Sequence, residues 1–232
     1  MGPHEKAWQA TRQRIADAAR AAGRAPADIR LLAVAKTFSA DAVRAVHGLG
    51  QRAFGENYVQ EALAKRAALG DLRDIAWHLI GPLQSNKARE AATTFDWVET
   101  VDRERIAERL SSARATAMAP LNVLVQVNVS GEATKHGVAP AAALDLARYV
   151  ATLPNLRLRG IMGIPEATGD VERLRLQFRT LRGCQQACVD AGLAVDTLSM
   201  GMSDDLEVAI AEGATEVRVG RAIFGERARR QQ

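Results

Sequence analysis

Lys36 is the residue of this chain whose setting is most suggestive of chemistry. It follows the short apolar run Leu31-Leu32-Ala33-Val34-Ala35, which has the length of a β-strand. The period-two alternation of a strand puts the Lys36 side chain on the same face as Leu32 and Val34. Desolvation on that face favours the free amine over the ammonium, and a free amine can condense with an aldehyde. The alternative is a strand-end lysine whose ammonium reaches water.

Two further segments have the character of phosphate-binding loops. Ser199-Met200-Gly201-Met202-Ser203 comes just before a helix predicted to begin at Asp204, and Val217-Arg218-Val219-Gly220-Arg221 ends another apolar strand. Small residues expose backbone N–H groups, and a helix N-terminus favours an anion. The simpler alternatives are that Ser203 is a helix N-cap and Gly220 a strand-ending turn.

Arg218 is predicted to point inward, because alternation sets it opposite Val217 and Val219. A buried guanidinium needs hydrogen-bond acceptors. Glu216 could supply them, and so could the ring nitrogen of a ligand.

Two other strands direct polar side chains inward. In the stretch from Val123 to Val129 the valines share one face, which leaves Gln126 and Asn128 on the other. His78 shares a face with Ile80 and is better interpreted as a hydrogen-bonded core residue than as a catalyst. We interpret His47 and His136 as loop or surface residues.

These residues need a scaffold that brings strand ends together. Strands alternate with helices along the whole chain, which predicts parallel βαβ units. Eight strand candidates without a composition break favour a (β/α)8 TIM barrel, a single domain over residues 1–232 with an extra N-terminal helix. A doubly wound open sheet is the alternative. The predicted strands are Leu31 to Ala35, Arg52 to Phe54, Ile75 to Ile80, Phe95 to Glu99, Leu121 to Val129, Leu156 to Ile161, Asp196 to Ser199 and Glu216 to Val219.

The predicted helices begin with an amphipathic one from about His4 to Ala22. The others are a stretch from Ser39, then Asn57 to Ala68, Ser85 to Ala92, Arg103 to Thr116, Pro140 to Thr152, Val171 to Ala191 and Asp204 to Glu212. The strand ends of a TIM barrel carry its active site. At these ends the sequence turns polar and glycine-rich, so we expect one site there.

Composition argues against several other classes of protein. The formal net charge is +4, and no basic patch is interleaved with stacking aromatics, so nucleic-acid binding is not expected. The short basic tail from Arg227 to Arg230 does not change this. Cys184 and Cys188 resemble neither a metal-ligand nor a redox pair, and we expect no metal. No apolar run suggests a signal or a membrane span, so we expect the cytoplasm.

Several motifs of the chain resemble the pyridoxal 5′-phosphate (PLP) homeostasis protein family, whose members are similar to the N-terminal barrel of alanine racemase. The motifs lie in family order along nearly the whole chain. They are Ala33-Val34-Ala35-Lys36-Thr37, Phe54-Gly55-Glu56-Asn57-Tyr58-Val59-Gln60-Glu61, Trp77-His78-Leu79-Ile80-Gly81-Pro82-Leu83-Gln84-Ser85-Asn86-Lys87, Leu198-Ser199-Met200-Gly201-Met202-Ser203, Val217-Arg218-Val219-Gly220 and Ile223-Phe224-Gly225.

The resemblance implies a role for each site residue. Lys36 forms a Schiff base with PLP, Arg218 faces the pyridine nitrogen, and Asn57 lies close to the ring. The phosphate is bound by Ser203 and by the backbone at Gly220 and Arg221.

Two positions depart from the family pattern. Arg221 stands where the family usually has Thr or Ser, so a hydroxyl contact is lost and a charge gained. Phe38 replaces a lysine that some relatives have.

The resemblance implies a carrier rather than an enzyme. PLP catalysis relies on an electron sink that a carboxylate at the ring nitrogen strengthens, whereas Arg218 would leave it weak. Racemases of this type use a tyrosine from a C-terminal domain, while this chain ends at Gln232 and has only Tyr58 and Tyr149. We therefore expect no catalytic residue and a monomer that takes part in intracellular PLP homeostasis and hands PLP to apo PLP-dependent enzymes. A slow racemase or another amino-acid enzyme is one alternative, and a phosphate-binding barrel without PLP is another.

Overall fold

The computed structural model describes residues 2–132 and 134–225 and shows alternating strands and helices. The strands are β1 (Arg30–Val34), β2 (Ala53–Glu56), β3 (Ala76–Leu79), β4 (Trp97–Val101), β5 (Leu121–Val127), β6 (Leu156–Gly163), β7 (Thr197–Ser199) and β8 (Glu216–Val219). The helices are α1 (Pro3–Ala21), α2 (Ala40–Gly48), α3 (Val59–Ala68), α4 (Ala88–Thr94), α5 (Glu104–Ala113), α6 (Ala143–Thr152), α7 (Val171–Asp190), α8 (Leu206–Ala211) and α9 (Arg221–Phe224).

The strands close into a parallel barrel in chain order, because β8 pairs with β1. Leu32 is in register with Arg218, and Ala33 with Val219. The predicted TIM barrel with an extra N-terminal helix is therefore confirmed, and the open-sheet alternative is wrong. Closure brings the first and last strands together and so makes a site shared by Lys36 and Arg218 possible.

The predicted element bounds differ from the observed ones where local hydrogen bonds end an element. Strand β5 ends at Val127 rather than Val129, because the Asn128 backbone N–H donates to Val138 O outside the barrel ladder at 2.8 Å. Helix α3 begins at Val59 rather than Asn57, since Tyr58 has an extended backbone. The helix predicted from Ser85 divides into a 3-10 turn, Ser85–Lys87, followed by α4.

Each strand buries one face against the helices and turns the other into the barrel. Residues such as Val123, Val125, Val217 and Val219 pack in the layer between strands and helices. A separate interior cluster holds Trp97, Leu124 and Met162, with Ile164 packed against it. The inward placement predicted by alternation follows this division.

The interior is filled near the N-terminal ends of the strands. Trp97 stacks on His78 with 5.0 Å between ring centroids. The guanidinium groups of Arg30 and Arg159, from the starts of β1 and β6, lie 4.9 and 4.6 Å from the Trp97 ring centroid. Open space is left at the C-terminal ends.

Helix α1 packs against the last part of the barrel. Arg14 donates from Nε and Nη2 to the two carboxylate oxygens of Glu207, and from Nη2 to Ser203 O at 3.1 Å. His4 Nδ1 lies 3.3 Å from Ile223 O. The extra helix thus supports the segments after β7 and β8.

The remaining sequence expectations concern the cysteines, membrane spans and the basic tail. Both cysteines of α7 are buried thiols. No described helix combines the length and apolarity that crossing a membrane requires. The basic tail from Arg227 to Arg230 lies outside the described residues.

Candidate cofactor site

A cavity of about 760 Å³ opens at the C-terminal ends of the strands. All six residues singled out from the sequence line it: Lys36, Asn57, Ser203, Arg218, Gly220 and Arg221. They come from the segments that follow β1, β2, β7 and β8 and from β8 itself. Gln126 and Asn128, the inward polar residues of the β5 segment, line it as well. The geometry therefore brings the predicted site residues together, while their roles stay a prediction.

Lys36 projects from the turn that ends β1. The Ala35 N–H donates to Gly55 O at 2.9 Å, which extends the barrel ladder by one bond beyond Val34. The side chain of Lys36 is half-buried and lies beside Val34 in the cavity wall. Thr37, which comes next, has a φ of 69°, so the chain turns sharply away after the lysine.

The Asn57 wall depends on a close approach of two backbone segments. A Cβ added at Gly81 would lie 2.2 Å from Asn57 O. Only glycine fits that contact, because no real Cβ approaches a backbone oxygen so closely. Gly81 thus allows the segments after β2 and β3 to converge at the cavity.

The segment after β7 turns toward the cavity at Gly201. Gly201 has a φ of 94°, and an added Cβ would lie 2.5 Å from Ala209 Cβ. Gly201 O accepts from the Arg218 N–H at 2.9 Å, which fixes the segment to β8. The N-cap interpretation of Ser203 is wrong, because α8 begins at Leu206 with Asp205 as its N-cap. The same bounds correct the predicted helix start at Asp204.

Arg221 pairs across the cavity rim with Asp204. Its Nη2 lies 3.0 Å from Asp204 Oδ2, and both side chains are largely exposed. The charge of Arg221 is therefore matched by a carboxylate from the neighbouring loop.

Arg218 is almost completely buried below the cavity. Its Nη1 donates to Ser199 Oγ at 2.7 Å and its Nη2 to Gly163 O at 2.9 Å. Of the two acceptors that the sequence offered, Glu216 and a ligand ring nitrogen, Glu216 makes no hydrogen bond to Arg218: its Oε2 lies 3.3 Å from Arg30 Nη1. Burial lowers the pKa of Arg218, and the charges of Glu99 and Glu216 oppose that shift.

Glu99 links Arg218 to the barrel interior. Its two oxygens lie 2.7 Å from Ser199 Oγ and from His78 Nδ1. Burial raises the pKa of Glu99, whereas the Arg218 charge lowers it. Burial, together with the charge of Glu99, raises the pKa of Glu216 to about 7. The interior therefore favours one negative charge, matched to Arg218, and one neutral carboxyl group.

His78 is a core residue, as interpreted from the sequence. Its ring is buried between Glu99 and Trp97, and burial lowers its pKa to about 4. The imidazole is thus neutral near pH 7. His78, Glu99 and Glu216 present ligand atoms within 4.8 Å of one another. Because Glu99 already bonds Ser199 and His78, we interpret the cluster as the charge partner of Arg218.

His136 lies in an exposed loop, as interpreted from the sequence, and that loop borders the cavity. It lines the cavity with Lys135, because the segment after β5 folds back on the strand end. The Val138 N–H donates to Gln126 O at 2.9 Å. Gly137 makes the return possible with a φ of 119°, and an added Cβ there would lie 2.5 Å from Asn128 N. Gly137 is the feature of the sequence that could have indicated this return of the chain to the strand end.

The chain resembles known proteins over nearly its whole length. Residues 8–228 match the family model described as "Alanine racemase, N-terminal domain". The chain is 57% identical over 214 residues to the pyridoxal phosphate homeostasis protein of Pseudomonas aeruginosa, covering 92% of this chain and 91% of the relative. It is 50% identical over 223 residues to the protein of that name from Escherichia coli K12, with 93% of each covered.

A solved structure shows the same barrel. PipY of Synechococcus elongatus PCC7942, with PLP bound, is 38% identical with a TM-score of 0.79. The match covers 91% of this chain and 100% of PipY.

Proposed function

The chain belongs to the pyridoxal phosphate homeostasis protein family, and on this premise we propose that it binds PLP in the cavity through Lys36. PLP supplies, when bound, an aldehyde that condenses with a primary amine and a ring that withdraws electrons. The family also supports a role in PLP homeostasis, in which the protein holds the reactive aldehyde and passes it to apo PLP-dependent enzymes.

The residues present fit this cofactor. The cavity of about 760 Å³ lies within the size range of small-molecule sites and carries an amine, amides and cationic groups. Gln126 Oε1 lines it as a buried acceptor with no hydrogen-bond partner within the part of the chain that the structure describes. An acceptor left in this state costs free energy, which a bound donor would recover.

We assign each site residue one task toward PLP. Lys36 would hold the aldehyde carbon, and Asn57 would lie beside the ring. Ser203 and the backbone at Gly220 and Arg221 would bind the phosphate, because they come from the two segments after β7 and β8 where barrels commonly seat phosphate. Arg218 would face the ring nitrogen as a donor, since a guanidinium has no acceptor.

The same arrangement supports a carrier rather than a catalyst. Arg218 is held by Ser199 and Gly163 and keeps its proton, so it disfavours a proton on an acceptor that it faces. Neither tyrosine of the chain lines the cavity: Tyr58 is 58% exposed, and Tyr149 donates to Glu108 at 2.6 Å. Neither tyrosine is therefore placed to act as a base in the cavity, as a tyrosine does in the racemases.

The observation that carries the proposal is the convergence of Lys36, Ser203 and Arg218 on one cavity. Borohydride reduction of PLP-loaded protein, followed by peptide mass spectrometry, should place the cofactor on Lys36. Lys36→Ala should abolish that label without loss of the fold, while Lys87→Ala serves as the control. Label on Lys87 or Lys135 of the wild-type protein would contradict the assignment.

Turnover assays test the carrier role separately. We expect no racemase, decarboxylase or transaminase activity approaching the usual enzyme range, which begins at a kcat of about 1 s⁻¹. A kcat in that range on any amino acid would replace the carrier with an enzyme.

A further inference from the structure

A buried ion pair lies directly beneath the turn that carries Lys36. Lys65 of α3 has a side chain that is 9% exposed, and its Nζ lies 2.5 Å from Oε1 of the fully buried Glu56. The same ammonium donates to Ala35 O at 2.7 Å. Ala35 immediately precedes Lys36, so α3 is attached through Lys65 to the peptide group on one side of the functional lysine.

A second α3 side chain holds the peptide group on the other side. The Thr37 N–H donates to Glu61 Oε2 at 3.1 Å. Thr37 has a φ of 69°, a strained conformation that a β-branched residue rarely adopts. The surrounding contacts must therefore impose it, and the Glu61 bond is one of them.

The pair of Glu56 and Lys65 is poorly explained as a device for stability. Burying two charges costs more than a well-packed apolar pair of similar volume, even when the charges attract one another. Glu56 Oε2 adds to the cost, because it is buried with no hydrogen-bond partner among the residues that the structure describes. Because this buried pair costs free energy and contacts the turn of Lys36, we infer that its role is to fix the geometry of that turn.

We propose that Glu56, Glu61 and Lys65, together the α3 clamp, are positioning residues that fix the turn of Lys36 so that its amine meets the bound aldehyde. The inference rests on the proposed function of Lys36. Lys65 sets the carbonyl before the lysine, Glu61 sets the N–H after it, and Glu56 holds the Lys65 ammonium in place. Glu56 and Glu61 belong to a family motif from which the cofactor site itself uses only Asn57.

The test measures how fast PLP becomes covalently attached to Lys36. Protein stripped with hydroxylamine is mixed with PLP, quenched with borohydride at increasing times, and the Lys36 peptide is quantified by mass spectrometry. Small displacements of a reacting group can cost orders of magnitude in rate. We expect Lys65→Met to slow attachment at least about tenfold, and Glu61→Ala, which removes the acceptor of the Thr37 N–H, to slow it severalfold. Lys65→Arg, which keeps a cationic donor, should recover part of the rate.

A matched control separates positioning from general stability. Glu212 is a buried carboxylate paired with Arg175 and Arg179, and it follows α8 at the opposite end of the barrel from the cavity. Glu212→Gln should lower the melting temperature and leave the attachment rate unchanged. If Lys65→Met does not fold, Glu61→Ala still tests the clamp, because the bond that it removes is exposed.

The outcomes distinguish the two proposals. Wild-type protein that gives no Lys36 label would overturn the proposed function itself. If the wild type is labelled but Lys65→Met and Glu61→Ala react within twofold of it, the α3 clamp is wrong. Equal slowing by Glu212→Gln would also overturn it, because the effect would then follow stability.

Discussion

Glu216→Gln should stabilise this protein at alkaline pH, although it removes a carboxylate that an arginine contacts. Glu216 is fully buried, and Glu216 Oε1 has no hydrogen-bond partner within the described residues. Burial and the charge of Glu99 raise the pKa of Glu216 from 4.5 to about 7. Its folded-state pKa therefore lies above its unfolded value, so the native state binds the proton more tightly than the unfolded chain does.

The sign and size of the effect follow from this difference. The contribution of Glu216 to stability is complete below about pH 4.5 and is lost as the pH rises through about 7. Each pKa unit corresponds to about 1.4 kcal/mol, so the free energy of unfolding should fall by roughly 3 kcal/mol across this window. Glutamine stays neutral and can still accept from Arg30, so the variant avoids that loss.

Urea denaturation of hydroxylamine-stripped protein between pH 5 and pH 8 measures the difference. We expect Glu216→Gln to flatten the pH profile and to raise the unfolding free energy by roughly 3 kcal/mol at pH 8. Glu99→Gln is the control, because it removes the partner of Arg218 and should destabilise at both pH values. If the Glu216→Gln protein is less stable than the wild type at pH 8, or if its unfolding free energy keeps the wild-type dependence on pH, Glu216 is not a neutral carboxyl group in the native state.

The remaining predictions concern the cofactor loops and Arg218. Ser203→Ala should weaken PLP binding by about 1–3 kcal/mol and spare unphosphorylated pyridoxal, as measured by spectral titration; equal weakening of both ligands would argue against a phosphate contact. Arg218→Gln should lower the unfolding free energy by about 3–5 kcal/mol, since Glu99 loses its partner, and should alter the absorbance of bound PLP; a folded variant with an unchanged spectrum would remove Arg218 from the ring. Gly201→Ala should destabilise more than Gly192→Ala in thermal unfolding, because both have positive φ but only the Gly201 Cβ meets another atom within 4 Å; equal costs would mean that strain alone matters.

The barrel and the direction of its inward side chains could be predicted because they depend on local patterns. Strict alternation in β5 exposes the valines to the helix layer and leaves Gln126 to the interior, and the same rule places Arg218. A repeated strand–helix order then fixes the closed topology. Both features can be predicted without knowing which residues contact one another across the barrel.

The contacts that tune the site could not be predicted, because they join distant strands. Ser199 lies between Glu99 and Arg218, from β4 and β8, and nothing in the sequence near any of the three indicates this chain of bonds. Glu216 lies two residues before Arg218 in the sequence and was one of the two acceptors that the sequence offered. In the register of the barrel it lies one layer deeper, where Arg30 contacts it instead.

On the proposed function, the charges inside the barrel account for a site that would bind PLP and leave its electron sink weak. Arg218 carries a permanent positive charge at the floor of the cavity. The carboxylate of Glu99, deeper in the barrel, balances this charge and is joined to Arg218 through the hydroxyl of Ser199. Burial and the charge of Glu99 raise the pKa of Glu216 to about 7, so this second carboxyl group is mostly protonated below pH 7. With its charge balanced from the protein side, Arg218 needs no anion from the ligand and can face a neutral ring nitrogen. On the proposed function, the interior thus holds the cofactor in its weakly electron-withdrawing form, while the α3 clamp keeps Lys36 in place to bind and release it.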